Sequence, residues 1–445
     1  MIKCVIRGIF CFLFVSTSFV ISGAKPNVVL ILSDDQAWGD YGFMGHSEIA
    51  TPNLDKLASE SLLFKRGYVT APLCRPSLAS IASGLYLHQH GIVANDVSPH
   101  KREVREKEGR AQINAFNARL SLTSLLVDNG YLAFQSGKWW EGSFSEGHFT
   151  NGMTHGIAIK GGRHGDVGLS IGRKGIKPLT NFIDTAVAKE KPFFVWYAPF
   201  LPHTPHNPPN DLLKKYQKEG RQDDEAKYFA MCEWFDQTCG EVIGHLKNKS
   251  ILQNTLIVYI CDNGWVAKSS ADISLPNNWS KGFAPRSKGS PYENGIRTPI
   301  MFSYPDKIKP QLSDDLAISI DLMPTILNVC GVKVPGYLPG IDLLNEKYRK
   351  NRNQIFGAAH AIHNMTVGKP QMTRQYDWVI TPKWKYLRRH NGIDTTSYKT
   401  VHEWDTTPAH LYDLISDPGE KLNVISDHPM VAKALRAKLE RWAQQ

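Results

Sequence analysis

A cysteine at the predicted start of a helix is the residue best suited to carry out chemistry in this sequence. In the string APLCRPSLASIASG, Cys74 lies two residues before Pro76, and a run of Ala, Ser and Leu follows. Because proline is favoured in the first turn of a helix, Cys74 is predicted at the helix N-terminus. Free N–H groups and the helix dipole there favour a bound anion and lower the pKa of a thiol. By itself, the pattern suits a buried structural cysteine equally well.

Polar residues that could take part in catalysis or binding also follow three short apolar runs. Asp34 and Asp35 follow the first run, Asp262 and Asn263 follow another, and the loop PFLPHTPHNPP follows the third. Unbroken runs rich in β-branched residues are typical of strands buried on both faces of a parallel sheet. The three runs are Val28–Leu32, Pro192–Ala198 and Thr255–Ile260.

Helical stretches alternate with these predicted strands. They cover Leu54–Ser61, Leu120–Asp128 and Asp224–Lys247. The alternation predicts an α/β fold with a doubly wound, mostly parallel sheet, in which ligands bind beyond the carboxyl ends of the strands. The polar residues named above all fall at those ends.

Composition excludes several classes of protein. The 445 residues are 42% hydrophobic and 21% charged, which excludes a disordered or fibrous chain. The net charge of +10 suits an anionic ligand or a polyanionic polymer. The short basic cluster from Lys101 to Arg110 alternates with glutamates and indicates a solvated helical face. We therefore expect no nucleic-acid partner.

The N-terminus has the pattern of a signal peptide. Lys3 and Arg7 precede an apolar run, and Ser22-Gly23-Ala24 supplies small residues at a cleavage site. We predict that residues 1–24 are removed, that the protein is secreted or periplasmic, and that it has no stable membrane span. An uncleaved anchor is the alternative. Five cysteines follow this segment, with irregular spacing that does not suggest a disulfide framework.

The character of the sequence changes near residue 350. WVITPKWKYLRR and PAHLYDLISDPGEKLNV are typical of short strands and turns, and Met430–Ala443 is typical of a closing helix. We therefore predict a catalytic α/β domain over residues 25–350 and a smaller C-terminal α+β domain over residues 351–445.

Nine strings, taken in order, resemble the sulfatase family, the formylglycine-dependent hydrolases of the alkaline-phosphatase superfamily. The strings are PNVVLILSDDQAWGDYG, TPNLDKLASES, CRPSLASIASG, GYLAFQSGKWW, PFFVWYAPFLPHTP, NTLIVYICDNG, SKGSPYENGIRTPI, IDLMPTIL and LYDLISDPGE. Any one of them is weak, but nine in the family's order are specific, and they span nearly the whole chain after the predicted signal peptide.

The resemblance implies a sulfuric-ester hydrolase of the arylsulfatase type. Cys74 matches the cysteine that a formylglycine-generating enzyme converts to formylglycine, whose hydrated aldehyde attacks sulfur. Asp34, Asp35, Asp262 and Asn263 match the metal ligands, and the converted Cys74 is expected to be a further ligand. Oxygen donors from two strand ends suit a hard cation, Ca²⁺ or, in its place, Mg²⁺. The implied substrate is a sulfated carbohydrate or an aryl sulfate.

The resemblance also assigns groups that bind the substrate. Lys138 and Lys288 match lysines that hold sulfate oxygens, and His203 matches a histidine near the bridging ester oxygen. His206 is the alternative to His203. Four residues after the nucleophile helix either line the substrate site or form a turn with satisfied polar groups: His88, His90, Asn95 and Asp96. Three tryptophans either stack on a sugar ring or pack in the core: Trp139, Trp140 and Trp196.

Two positions depart from the family pattern. Leu78 occupies the place of the arginine in Cys-x-Pro-Ser-Arg, and Arg75 points about 100° away from that helix face, so it is not a simple replacement. Trp140 occupies the place of the histidine in Gly-Lys-Trp-His, and an indole only donates a hydrogen bond. Either His203 alone carries out the proton transfer, or Glu141 or His148 compensates, or turnover is slow.

Two alternative functions compete with sulfate ester hydrolysis. A phosphodiesterase or phosphonate monoester hydrolase of the same superfamily uses similar ligands. A catalytically degenerate member would bind sulfated glycans without cleaving them, and Leu78 and Trp140 favour that alternative.

Overall fold

The computed structural model describes residues 24–97, 102–156, 162–267, 283–361, 365–390 and 407–444. The predicted signal peptide, residues 1–24, lies outside the described residues except for Ala24.

Nine strands form a large mixed sheet, and four later strands form a second sheet. The large sheet contains β1 (Asn27–Ser33), β2 (Leu62–Tyr68), β3 (Leu132–Gly137), β4 (Asn151–Gly152), β5 (Phe193–Ala198), β6 (Thr255–Cys261), β7 (Arg297–Ser303), β8 (Gln311–Ser313) and β9 (Ala317–Ile318). The second contains β10 (Ile355–His360), β11 (Arg374–Ile380), β12 (Trp384–Arg389) and β13 (Ala409–Asp413).

The large sheet has the order β4-β3-β5-β1-β6-β7-β2-β8, with β9 beside β2. The strands from β4 to β6 in this order are parallel, whereas β7 runs antiparallel to both β6 and β2. The predicted α/β class with a doubly wound, mostly parallel sheet is therefore confirmed. Since β1, β3, β5 and β6 point the same way, the segments that follow them emerge at one edge.

Twelve helices are assigned within the described residues. They are α1 (Pro52–Ser59), α2 (Cys74–Ser83), α3 (Leu87–His90), α4 (Arg102–Asn117), α5 (Leu122–Asp128), α6 (Lys177–Ala188), α7 (Asn210–Tyr216), α8 (Asp223–Asn248), α9 (Glu293–Ile296), α10 (Leu322–Val329), α11 (Glu346–Asn351) and α12 (Pro429–Trp442). None of those in the described ranges has the length and apolar character that a membrane span requires.

The central strand β1 divides the core into two layers, because successive side chains of a strand point to opposite faces. Val28, Leu30 and Leu32 contribute to one apolar cluster together with residues of α2, α5 and α10. Val29 and Ile31 contribute to the other, together with residues of α1, α6 and α8. Burial on both faces explains the unbroken apolar runs in the sequence.

The second sheet is antiparallel, with the order β10-β11-β12-β13. Its inner face and α12 join the same apolar cluster as α2, and the Ala358 N–H of β10 donates to the Thr70 carbonyl, 3.1 Å away, just before α2. The smaller C-terminal sheet is thus as predicted, and all its strands follow residue 350. The boundary between residues 350 and 351 stays a prediction.

Candidate active site

The carboxyl ends of four parallel strands bring most of the predicted site residues together. Asp34 and Asp35 follow β1, Lys138 follows β3, His203 follows β5, and Asp262 with Asn263 follows β6. Cys74 begins α2, and Lys288 lies in the loop before α9. Potential ligand atoms of Asp34, Asp35, Cys74 and His203 lie within 4.8 Å of one another.

Backbone bonds hold the two acidic strand ends side by side. The Asp262 N–H donates to the Ser33 carbonyl at 3.0 Å, and the Asp35 N–H donates to Asp262 Oδ1 at 3.2 Å. Asn263 Nδ2 donates to Asp35 Oδ1 at 2.7 Å. Lys138 Nζ donates to both Asp34 and Asp262 and so links Asp34 to this buried group.

This buried group has the donor set of a hard-cation site. Asp34 Oδ2 and Asn263 Oδ1 are buried and accept no hydrogen bond from the described residues. The carboxyl groups of Asp34, Asp35 and Asp262 lie beside the ammonium groups of Lys138 and Lys288. Carboxylate and amide oxygens without hydrogen-bond partners fit a divalent cation such as Ca²⁺ or Mg²⁺.

The pKa values of the acids follow from burial and from the two lysines. Burial raises the pKa of Asp34 well above its usual value, against the opposing effect of Lys138. Burial likewise raises the pKa of Asp262, and Lys138 again opposes it. Burial acts in the same direction on Asp35, but the ammonium group of Lys288 holds its pKa well below the usual range. Asp35 is therefore ionised at neutral pH.

Cys74 lies at the N-terminus of α2, as the sequence predicted. Its Sγ is 3.8 Å from Asp35 Oδ1. Burial raises the pKa of the Cys74 thiol to about 12, although Lys138 and Lys288 act to lower it. An unmodified Cys74 is therefore a neutral thiol at physiological pH. All ten residues of α2 are buried.

Lys138 and Lys288 both point their ammonium groups at the acids. Lys138 Nζ donates to Asp34 Oδ1 at 2.5 Å and to Asp262 Oδ2 at 3.2 Å, and the side chain is 1% exposed. Lys288 Nζ donates to Asp35 Oδ2 at 2.5 Å. Burial lowers the pKa of each lysine, but the carboxylates overcome it and raise both pKa values above normal. Both lysines are therefore cations.

His203 completes the cluster with a defined orientation. Its Nδ1 lies 2.7 Å from the Thr204 carbonyl, which only accepts, so Nδ1 carries the proton. Its Nε2 then presents a lone pair to Lys288 Nζ at 3.4 Å. Burial lowers the pKa of His203 well below its usual value, with Asp35 opposing and Lys288 reinforcing the effect. The imidazole is neutral, so Lys288 bears the proton of this pair.

Arg173 holds the His203 loop, and the sequence did not predict it. Its guanidinium donates to the Phe200 carbonyl at 2.7 and 3.0 Å, to the His203 carbonyl at 2.7 Å and to the Pro205 carbonyl at 3.2 Å. Phe200 in turn stacks on the His203 ring, with centroids 4.2 Å apart. Arg173 lies outside every recognisable string, so no sequence signal identified it.

The two departures from the family pattern occupy one region beside α2. Leu78 is buried in the apolar core. Arg75 donates to Glu141 Oε1 at 2.7 Å and to Oε2 at 2.9 Å, and both side chains are buried. Trp140 is buried with its ring centroid 4.8 Å from Lys138 Nζ, a cation–π distance. Arg75 is thus committed to Glu141 and does not replace the arginine.

The positions of Glu141, His148 and His203 favour His203 as the group that transfers the proton. Glu141 is bound to Arg75. His148 is exposed, and its Nε2 lies 3.1 Å from the Asn117 carbonyl. Neither joins the cluster, whereas His203 does. His206 instead packs its ring against Tyr228 and Trp265.

His90 does not fit the predicted substrate-binding role. The side chain is fully buried, Nε2 lies 2.9 Å from Ser80 Oγ, and Nδ1 accepts from the Ile92 N–H at 3.0 Å. His90 therefore joins α2 to α3 from within. Its neighbour His88 stacks on Tyr86.

Asn95, Trp139 and Trp196 make contacts that support the structure around α2 and β3. Asn95 Oδ1 accepts from the Arg75 N–H at 3.1 Å, which fixes the first turn of α2. Trp139 and Trp196 are buried and meet edge to face, with centroids 5.5 Å apart. Of the two alternatives for these tryptophans, the structure favours packing.

Comparisons with known proteins identify the family of this chain. The family model described as Sulfatase matches residues 26–332, and one described as N-sulphoglucosamine sulphohydrolase, C-terminal, matches residues 287–445. Arylsulfatase A of Homo sapiens is 26% identical over 467 residues, covering 92% of this chain and 86% of that protein. N-acetylgalactosamine-6-sulfatase of Rattus norvegicus is 28% identical over 442 residues, covering 89% and 80%.

A solved structure supports the fold. A protein in complex with its substrate, D-glucosamine-2-N,6-O-disulfate, has a TM-score of 0.67 at 19% identity, covering 94% of this chain and 98% of that one. The first family model matches well over half of the chain, and its span includes the acid cluster, Cys74 and both lysines. The chain therefore belongs to the sulfatase family and is a sulfuric ester hydrolase, as the sequence predicted.

Proposed function

We propose that this sulfatase releases sulfate from a sulfated carbohydrate, with Cys74 converted to formylglycine and Ca²⁺, or Mg²⁺ in its place, held by Asp34, Asp35, Asp262 and Asn263. One observation carries the proposal: the ammonium groups of the buried Lys138 and the partly buried Lys288 converge on the acid cluster beside Cys74. Cations, oxygen ligands and a helix N-terminus together form a site for a tetrahedral anion.

The metal and the modified residue would supply complementary chemistry. When bound, the cation polarises a sulfate oxygen, and a hydrated formylglycine offers a hydroxyl as nucleophile. The unpartnered oxygens of Asp34 and Asn263 support the assignment of the metal ligands. The neutral thiol expected for unmodified Cys74 supports the need for conversion.

Lys138 and Lys288 would hold the sulfate oxygens. In sulfuryl transfer, charge spreads over the equatorial oxygens of a trigonal transition state, and fixed cations stabilise it without reorganising. Burial strengthens this effect most at Lys138, which is 1% exposed, because water screens a buried ammonium group only weakly. The cation–π contact from Trp140 and the carboxylates of Asp34 and Asp262 keep Lys138 in place.

His203 and Lys288 would assist departure of the alcohol. The proton of this pair resides on Lys288, and the neutral His203 ring orients it through the 3.4 Å contact. Arg173 keeps the imidazole fixed by binding the carbonyl groups around it. The ester oxygen would draw its proton from this pair as the S–O bond breaks.

Sulfate release tests the proposal directly. Protein made in its native host, supplied with Ca²⁺, is incubated with an aryl sulfate, with a panel of sulfated monosaccharides and glycans, and with an aryl phosphate diester. Ion chromatography should detect sulfate from at least one sulfated sugar. Turnover of the phosphate diester alone would favour the phosphodiesterase alternative. Binding of sulfated glycan without release, in material with a formylglycine, would favour the degenerate binding protein.

Maturation and export form the remaining part of the proposal. A formylglycine-generating enzyme would act on Cys74, and mass spectrometry of the peptide that contains Cys74 tests it. Export to the periplasm or medium would follow removal of residues 1–24, and N-terminal sequencing of exported protein tests that. The positive net charge supports a polyanionic substrate.

A further inference from the structure

One residue near the C-terminus holds both ends of the loop that carries Lys288. Glu420 follows β13, and its carboxylate accepts the Glu293 N–H at 2.6 Å. Its main-chain carbonyl accepts from Arg286 Nη1 at 2.7 Å. Arg286 and Glu293 flank Lys288 in the sequence, so Glu420 bridges the start and the end of this loop.

A buried ion network fixes Glu420 itself. Lys385 Nζ of β12 lies 2.7 Å from Glu420 Oε1 and 3.4 Å from Glu293 Oε1. Lys385 is 0% exposed and Glu420 is 1% exposed. The Tyr68 hydroxyl donates to Glu293 Oε2 at 3.1 Å. Removing one partner of such a network leaves the other buried charges uncompensated, so the network strongly favours a single arrangement.

The other side of the loop faces the proposed catalytic groups. The Gly289 N–H donates to the Pro72 carbonyl at 2.8 Å, two residues before Cys74. Lys288 Nζ donates to Asp35 at 2.5 Å. A lysine side chain has many rotamers, so its position depends on a fixed backbone beneath it. That backbone is fixed between Pro72 on one side and Glu420 on the other.

The conformation of Glu420 indicates that its side chain matters. Its φ is +55°, in the left-handed region that favours glycine. A glutamate in this region is unfavourable unless its side chain compensates. The bonds to Glu293 and Lys385 provide that compensation.

We propose that Glu420 is a positioning residue for Lys288. Through the loop from Arg286 to Glu293, the C-terminal sheet sets the place of a lysine in the active site of the larger sheet. The inference rests on the proposed function in one respect, that Lys288 binds the sulfate of the substrate.

A double-mutant cycle tests this role. Glu420→Gly removes the carboxylate while suiting the backbone conformation. Its matched control is Asp306→Gly, which removes an exposed acidic residue with a φ of +61°. We expect Glu420→Gly to lower kcat/KM for sulfate release by about tenfold or more, mainly in kcat, and Asp306→Gly to have little effect. Glu420→Gln retains an acceptor for the Glu293 N–H and should restore part of the loss.

Introducing Glu420→Gly into the Lys288→Ala variant distinguishes an effect on the position of Lys288 from an effect on the stability of the whole protein. There, Glu420→Gly should lower kcat/KM by less than about twofold, because the residue it positions is already absent. An equal loss in both backgrounds, or no loss in either, would overturn the proposal.

Crystal structures provide a readout that does not depend on activity. We expect Lys288 Nζ within hydrogen-bonding distance of Asp35 in the wild-type protein and displaced from it in Glu420→Gly. An undisplaced Lys288 would overturn the proposal even if the protein released no sulfate. Inactivity of the wild-type protein would instead count against the proposed function, and the two failures are thereby distinguished.

Discussion

Arg75 and Glu141 form a buried, two-pronged ion pair, with N–O distances of 2.7 and 2.9 Å, between the first turn of α2 and the segment that follows β3. The pair joins the residue after Cys74 to the segment that carries Lys138. Its geometry matches the planar fork of a guanidinium to the two oxygens of a carboxylate, which a lysine does not reproduce.

Breaking this pair should destabilise the protein strongly. Arg75→Met leaves the Glu141 carboxylate buried without its partner and should lower the free energy of unfolding by about 3–5 kcal/mol. The double variant Arg75→Met with Glu141→Gln should recover much of that loss, since no buried charge remains. Urea denaturation of the wild type, Arg75→Met and the double variant measures these free energies of unfolding. A double variant less stable than Arg75→Met would contradict the explanation.

Cys74→Ala should abolish sulfate release without unfolding the protein. The substitution removes one atom from a buried position, so the melting temperature should change by only a few degrees. Cys330→Ala, at another buried cysteine, is the matched control and should stay active. If Cys74→Ala released sulfate at the wild-type rate, the nucleophile would have to be another residue.

Lys138→Ala should reduce kcat by about 10²–10³, because it removes the cation that we propose stabilises the transition state. Lys383→Ala, which removes a half-exposed lysine of the C-terminal sheet, serves as control and should match the wild type. Steady-state kinetics on an aryl sulfate gives the comparison. If Lys138→Ala changed only KM, the lysine would bind ground state and transition state alike.

Asp262→Asn should weaken metal binding. In the wild-type protein, adding Ca²⁺ after chelation should raise the melting temperature, because a ligand that binds only the folded state stabilises it. The same addition to Asp262→Asn should give a much smaller increase, and metal analysis should show a lower calcium content. An equal calcium content in the two proteins would remove Asp262 from the ligand set.

Asp377 should make stability depend on acid pH. Burial acts to raise its pKa, but His390 and Arg388 hold the pKa below the ordinary value of about 3.9. Its stabilising effect is therefore complete above about pH 4 and is lost as the pH falls through the lower pKa of the folded state. Asp377→Asn should cost about 2 kcal/mol at pH 7 and progressively less in acid. Denaturant unfolding from pH 7 to pH 3 measures this difference, and a gap that widened in acid would contradict the assignment.

The sequence predicted the parts of this molecule that depend on neighbouring residues. The apolar run before Asp34 marked β1 because burial on both faces excludes polar side chains, and Pro76 marked the start of α2. Since parallel strands end at a common edge, the acids after β1 and β6 were expected to meet. The structure brings Asp35 and Asp262 together as that rule requires.

Contacts between residues that are far apart in the sequence were not predicted. Arg173 binds a loop thirty residues away through main-chain carbonyls, which any residue type supplies, so its partners left no pattern in the sequence. Glu420 and Lys385 meet Glu293 only because two sheets pack together. His90 was expected to line the substrate site because it follows the nucleophile helix, yet its ring turns inward to Ser80. The order of residues in the sequence does not show whether a side chain of a short helix points into the core or towards the substrate site.

The complete burial of α2 has a consequence for the order of events during biosynthesis. Every residue from Cys74 to Ser83 lies inside the folded protein. An enzyme that modifies Cys74 needs access to that residue, and the folded protein buries it. If Cys74 is converted as proposed, the conversion would therefore have to precede folding, and a chain that folded first would keep an unmodified, buried thiol.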